Sequence, residues 1–252
     1  MHTATNSQLK PIEGLPQPVD GDIGLAFKVP TPLPKKSFAL YVCGQPGSGK
    51  SNLWLQLLMS HPTKKSPKTC RYYYRYFDRV YLISGSLDTL PLEKLSLNEN
   101  RVFNQYDDCT LSEIISGEHE DENNNNTLII LDDCIRDLSK SKDLCKAVLN
   151  RRHCTHNSEH EGQAGLALLI TSQVYNWLPL GLRKNMSHVV LFRTENSREK
   201  SCIKDELMAD LSDAEATQVM SLAWNDKHSF LLILSEMPTK ERYYKNFDLI
   251  IL

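Results

Sequence analysis

Residues 38–58 read FALYVCGQPGSGKSNLWLQLL. An apolar run, Phe38 to Cys43, gives way to a glycine-rich octet and then to a leucine-rich stretch. Gly44 to Ser51 meets G-x-x-x-x-G-K-[ST] in full, with the strand-before and helix-after setting that this pattern needs. The chemistry explains the residue types. Glycines at 44, 47 and 49 let main-chain N–H groups close around phosphate oxygens, and the positive end of the following helix adds to their field. Lys50 places a cation on the β- and γ-phosphates, and the Ser51 hydroxyl suits Mg²⁺. The expected nucleotide contacts are Gly44, Gln45, Pro46, Gly47, Ser48, Gly49, Lys50, Ser51 and Asn52.

Working outward, the next decisive stretch is Thr127 to Asp133, TLIILDD. An apolar strand ends there in two carboxylates. Asp132 is the expected metal ligand, and Asp133 the base that orients and deprotonates the attacking water. Two such acids in sequence point to ATPases that carry their own base. A GTPase is disfavoured because Asn225-Asp226-Lys227 has the wrong order for N-K-x-D. The apolar run Leu166 to Thr171 leads into Ser172 and Gln173, and Gln173 is the candidate γ-phosphate sensor. Arg152 is the first candidate for an arginine finger reaching a neighbouring subunit, with Arg151 and Arg183 behind it.

Further apolar runs occur at 79–83, 101–103, 188–192 and 230–234, the last expected to close the set. Helical patterns fall at 51–60, 143–149, 197–210 and 213–222, the last opening on a capping box, Ser212 to Glu215. Strands that are apolar throughout are covered on both faces. Their alternation with helices gives an α/β fold, three layers around a mostly parallel sheet. Residues 1–36 are expected to form an extended, proline-rich arm, part of it lying along a sheet edge, and 37–252 a single ATPase domain.

Composition bounds the rest. The chain has 252 residues, 40% hydrophobic and 24% charged, with a net charge of −2, so any nucleic-acid grip has to be local. No apolar run approaches the ~18–20 residues of a membrane span, and no secretory signal is visible. Seven cysteines without a C-x-x-C argue for a reducing compartment. His153, Cys154, His156 and His160 fit no structural zinc spacing. Residues 117–126, GEHEDENNNN, read as a surface loop. Lys64, Lys65, Lys68, Arg71, Arg75 and Arg79 interleave with Tyr72, Tyr73, Tyr74, Tyr76 and Phe77. That stretch reads either as a backbone-gripping, base-stacking surface or as a solvated loop whose rings pack on the core.

The ordered combination resembles the poxvirus-type viral genome-packaging ATPases of the FtsK–HerA superfamily, over about residues 28–250. The likeness is carried by GQPGSGKSNLWLQLL, YRYFDRVYLIS at 74–84, LIILDD, Arg151-Arg152-His153, and LLITSQVYNWLPLGLRKN at 168–185. It implies an ASCE-type P-loop domain that binds ATP and Mg²⁺. It further implies a homo-oligomeric ring at a viral capsid vertex, pulling double-stranded DNA into a preformed capsid with little sequence preference and no membrane attachment. The placement implied is inside the host cell at the assembly site, or with the virion. Lys50, Ser51, Asp132, Asp133 and Gln173 match the family's positions, and Arg152 matches the finger loosely. Cellular members usually carry glutamate where this chain has Asp133, one methylene shorter. The other readings are another FtsK–HerA-type DNA pump, a nucleoside or small-molecule kinase with an arginine-rich lid, or a nucleotide-bound capsid-assembly factor without turnover.

Overall fold

In the computed structural model, the described residues are 2–3, 29–35, 37–90, 92, 95–116, 126–134, 138, 140–151, 154 and 165–252. Their apolar runs pair into one ten-stranded sheet. In chain order the elements are β1 (His2–Thr3), β2 (Ala39–Cys43), α1 (Lys50–Met59), β3 (Arg79–Ser84), β4 (Val102–Phe103), α2 (Asp108–Ser116), β5 (Asn126–Asp132), α3 (Lys142–Asn150), β6 (Gly165–Ser172), α4 (Leu180–Arg183), β7 (His188–Phe192), α5 (Ser197–Leu207), α6 (Asp213–Ala223), β8 (Phe230–Leu234), β9 (Tyr243–Lys245) and β10 (Asp248–Ile251). The order across the sheet is β1-β10-β9-β8-β7-β2-β6-β5-β3-β4. The block from β7 to β4 is parallel, while β8, β9, β10 and β1 extend it in antiparallel fashion.

The three layers follow from strand alternation. Ala39, Tyr41 and Cys43 face one apolar core with Ile83, Ile129 and Ile170, roofed by α2, α3, α5 and α6. Leu40 and Val42 face the other with Leu82, Leu128 and Ile130, roofed by α1. Helix starts are written locally. Ser141 accepts from the Leu144 amide at the head of α3, Asn196 accepts from the Arg198 and Glu199 amides at α5, and Ser212 and Glu215 form the expected capping box at α6.

Several boundaries differ from the sequence reading. Phe230–Leu234 does not close the sheet, because β9 and β10 follow it. Helix α5 stops at Leu207 rather than near residue 210. Asn126, expected in a surface loop, opens β5 and is buried, its side-chain amide donating to the Tyr76 carbonyl at 3.1 Å. Residues 117–125 lie outside the described residues.

Packing settles three rings of the basic–aromatic stretch. Tyr73, Tyr76 and Phe77 are buried beneath α1. The Tyr73 hydroxyl donates to the Pro34 carbonyl at 2.6 Å, and that of Tyr76 to the Lys35 carbonyl. They pin Val29–Lys35 against the core, so these three rings offer no stacking platform. Lys64, Lys65 and Lys68 stay exposed. No helix among the described residues is long and apolar enough to cross a membrane.

Candidate nucleotide site

Three strands end together. Val42 pairs with Thr171 and Cys43 with Ser172, while Leu131 pairs with Ile170. Strand β6 therefore lies between the strand that launches the glycine-rich loop and the strand that ends in the two acids. The ladder continues one step into the loop, where the Gly44 amide donates to the Ser172 carbonyl at 3.0 Å.

The loop turns through Gly47 at φ 76° and Gly49 at φ 111°, a left-handed backbone that a side chain would strain. Gly44 is needed for space: a Cβ there would sit 2.6 Å from both Phe192 Cβ and Ser48 Oγ. Lys50 begins α1 and folds back over the loop, its Nζ donating to the Gly44 carbonyl at 2.6 Å and the Gln45 carbonyl at 3.2 Å. Burial lowers the Lys50 pKa, and the nearby Asp133 and Asp132 carboxylates oppose that fall. Gln45, Pro46, Gly47 and Asn52 are exposed, and Ser51 is half-buried in the first turn of α1.

The acids differ in kind. Asp132 is buried, and its Oδ1 accepts from Thr171 Oγ1 at 2.8 Å and from Trp54 Nε1 at 3.3 Å. Burial pushes its pKa up. The Thr171 and Trp54 donors work against that, Asp133 adds to it, and Lys50 lowers it. Asp133 sits at φ 56° with its amide donating to Thr171 Oγ1 at 3.0 Å. Its carboxylate accepts from Gln173 Nε2 at 2.9 and 3.3 Å. One threonine hydroxyl thus links both acids. The oxygens of Ser51 and Asp132 are the hard donor set that Mg²⁺ takes, and Asp132 Oδ2 receives no hydrogen bond from the described residues.

The described candidate arginines are tied up elsewhere. Arg183 is buried; it forks onto Glu206 at 2.6 and 2.9 Å, donates to the Leu178 and Asn176 carbonyls, and lies over the Tyr175 ring. Arg151 is buried too, bonded to the Ser37 and Val148 carbonyls. Neither is poised to reach a neighbouring subunit. Arg152 lies outside the described residues, as do His153, His156 and His160. Among the described residues no group of three or more His, Cys, Asp or Glu side chains could hold a metal on its own.

The sequence reading assigned nothing to Thr171, Trp54 or Glu199. A tryptophan on the helix after the loop was a usable signal, because a buried indole N–H needs an acceptor. Glu199 is buried behind the loop and gathers the ends of three elements. It accepts from the Tyr175 amide at 2.6 Å, from Thr194 Oγ1 at 2.5 Å and from Cys43 Sγ at 3.8 Å. Burial, with Glu199 beside it, keeps the Cys43 thiol far above its ordinary range.

No protein-family model and no curated protein matches the chain. Solved structures do. The genome packaging NTPase B204 from Sulfolobus turreted icosahedral virus 2, in complex with ATP-gammaS, is 17% identical at a TM-score of 0.54, over 84% of this chain and 98% of that one. The same NTPase in complex with AMPPCP is 15% identical at 0.54, over 85% and 98%. B204, the DNA-packaging ATPase from Sulfolobus turreted icosahedral virus, is 15% identical at 0.55, over 86% and 98%. The chain has the fold of these packaging NTPases, the three-layer α/β P-loop fold that the motifs implied.

Proposed function

We propose that the chain hydrolyses ATP to move double-stranded DNA, and that it packages a viral genome into a preformed capsid as a homo-oligomeric ring at the capsid vertex. The observation that carries this is the meeting, at the carboxyl ends of three neighbouring strands, of the Lys50 loop, the Asp132–Asp133 pair and Gln173, joined through the end of β6. The shared fold with viral packaging NTPases supports the cargo.

In this reading the Gly44–Ser51 amides and Lys50 bind the triphosphate. Ser51 and Asp132 would hold Mg²⁺, which neutralises charge on the phosphate oxygens and fixes their geometry. Asp133 orients the attacking water and takes its proton as the γ-phosphate bond breaks in line. Gln173 carries an amide that can donate to Asp133 or to a γ-phosphate oxygen. Loss of the γ-phosphate returns it to the base, which ties cleavage to a change at the end of β6. An arginine from the neighbouring subunit, with Arg152 the candidate, spreads the transition-state charge. DNA is held by its backbone, so binding falls with salt and shows little sequence preference.

The test is ATP hydrolysis with and without duplex DNA, on protein of measured assembly state. The expected result is DNA-stimulated phosphate release that Asp133→Asn abolishes while ATP binding persists. Wild-type turnover by that variant would remove Asp133 as the base. Stimulation by a small hydroxyl compound instead of DNA would favour the kinase reading.

A further inference from the structure

The loop before β8 touches the glycine-rich loop from the side opposite β6. His228 Nδ1 lies 3.0 Å from the Ser48 carbonyl oxygen. A carbonyl only accepts, so the imidazole is held in the form that carries a proton on Nδ1. We propose that His228 is a positioning residue for nucleotide binding, fixing the Ser48–Gly49 peptide so that the Gly49 amide faces the phosphates. The inference rests on the nucleotide reading of the site and extends it to an element outside the motif.

The Ser48–Gly49 bond is trans, so its carbonyl and the Gly49 N–H point in opposite directions within one plane. Tying the oxygen to His228 turns the N–H away from His228. Gly49, at φ 111°, has no steric preference of its own to hold that plane. The imidazole also stays close to the turn: a Cβ on Gly49 would lie 3.8 Å from His228 Nδ1 and 3.6 Å from Phe192 Cε1.

The arm that presents His228 is built to stay in place. The Ser229 amide and hydroxyl both donate to the Asp226 carbonyl, at 3.3 and 2.7 Å. Lys245 ties Asn225 and the Asp226 carboxylate from β9. Phe230 and Asn246 exchange hydrogen bonds, amide to side-chain oxygen at 3.1 Å and amide to carbonyl at 2.9 Å. At the tip His228 adopts φ 64°, a left-handed conformation in which Asn, Asp and His are the commonest non-glycine residues. The glycine-rich loop is thus held at Gly44 by β6 and at Ser48 by this arm.

Three substitutions that tolerate that backbone separate positioning from folding. His228→Asn keeps an N–H donor near the position of Nδ1. His228→Asp puts an acceptor there, facing the Ser48 carbonyl. His228→Gly removes the group and relaxes the backbone. Binding of Mg-ATP and of ADP is measured by calorimetry, with melting temperature and kcat at saturating ATP alongside. The expected affinity for both nucleotides is near wild type for Asn, and on the order of tenfold weaker for Gly and Asp, the worth of about one hydrogen bond. The kcat stays within about twofold, since the chemistry lies at Asp133. Equal affinity in all three variants, or a loss in Asn as large as in Gly, overturns the inference. Wild-type protein that binds neither nucleotide overturns the underlying reading instead, so the two failures are told apart.

Discussion

Replacing Thr171 by valine keeps the branched shape and removes one hydroxyl. That hydroxyl is fully buried, donates to Asp132 Oδ1 at 2.8 Å and receives the Asp133 amide at 3.0 Å. The first bond goes to a carboxylate and is worth about 1.5–3 kcal/mol, while the stranded amide costs about 1–3 kcal/mol. The two share one atom and are not independent, so a loss of about 3–5 kcal/mol is expected at neutral pH. At about 2–4 °C per kcal/mol for a chain of this size, the melting temperature falls by roughly 10 °C. The pH dependence gives the sharper test. Burial raises the Asp132 pKa, and the Thr171 bond is the largest influence opposing it, so the valine variant has the higher folded-state pKa. The variant's fold therefore holds its proton to higher pH, and the stability gap between the two proteins shrinks as pH falls through that pKa. Thermal unfolding of both proteins across acidic to neutral pH should show the widest gap at neutral pH, closing on acidification to the residue left by the amide. Equal melting at pH 7, or a gap that does not change with pH, would show that the hydroxyl does not support the ionised acid.

Gly44→Ala adds a Cβ 2.6 Å from Phe192 Cβ and Ser48 Oγ, and should cost about 1–3 kcal/mol by overpacking, read as a lower urea midpoint. An unchanged midpoint would mean that the loop yields at no cost. Arg183→Ala leaves the half-buried Glu206 carboxylate with only the Tyr175 hydroxyl and the Cys202 thiol, takes the donor from the Leu178 carbonyl, and should lose about 2–3 kcal/mol of stability. A finger at Arg183 would give the opposite pattern, full stability with hydrolysis lost from the assembled protein.

The sequence exposed whatever depends on long apolar runs and on a motif with fixed local chemistry. Strands β2, β3, β5, β6, β7 and β8 each carry enough consecutive apolar residues to stand out. Strand β9, Tyr243–Lys245, is too short to show a period, and β10, Asp248–Ile251, offers only three apolar residues; β9 pairs with the edge that β8 leaves, and β10 with β9. Helix α2 buries just Leu111 and Ile114, a weak stripe. At the site, Lys50, Asp132, Asp133 and Gln173 were legible because each closes an apolar run or completes the loop motif. Thr171 was not, since its two bonds exist only once β5 and β6 take a particular register. Glu199 stands in SREKSCIKDEL, a helix whose composition reads as solvent-facing; burial comes from Tyr175, Thr194 and Cys43 converging on it. The rings of Tyr73, Tyr76 and Phe77 fitted two opposite readings, and the face of α1 that needed covering decided between them.

The aspartate at position 133 follows from backbone geometry. At φ 56° an aspartate or asparagine is tolerated, while a longer L-side chain pays roughly 1–2 kcal/mol. That left-handed turn brings the Asp133 amide back to Thr171 and lets its short carboxylate meet Gln173. The turn of the main chain thus sets where the carboxylate lies. Its consequence reaches the nucleotide loop. Thr171, Ser172 and Gln173 bond in turn to the acids, to Gly44 and again to Asp133. In the proposed reading, a displacement of Gln173 toward a phosphate would be felt by both motifs through three consecutive residues at the end of β6. In the proposed motor, that strand end connects bond cleavage to movement of the subunit.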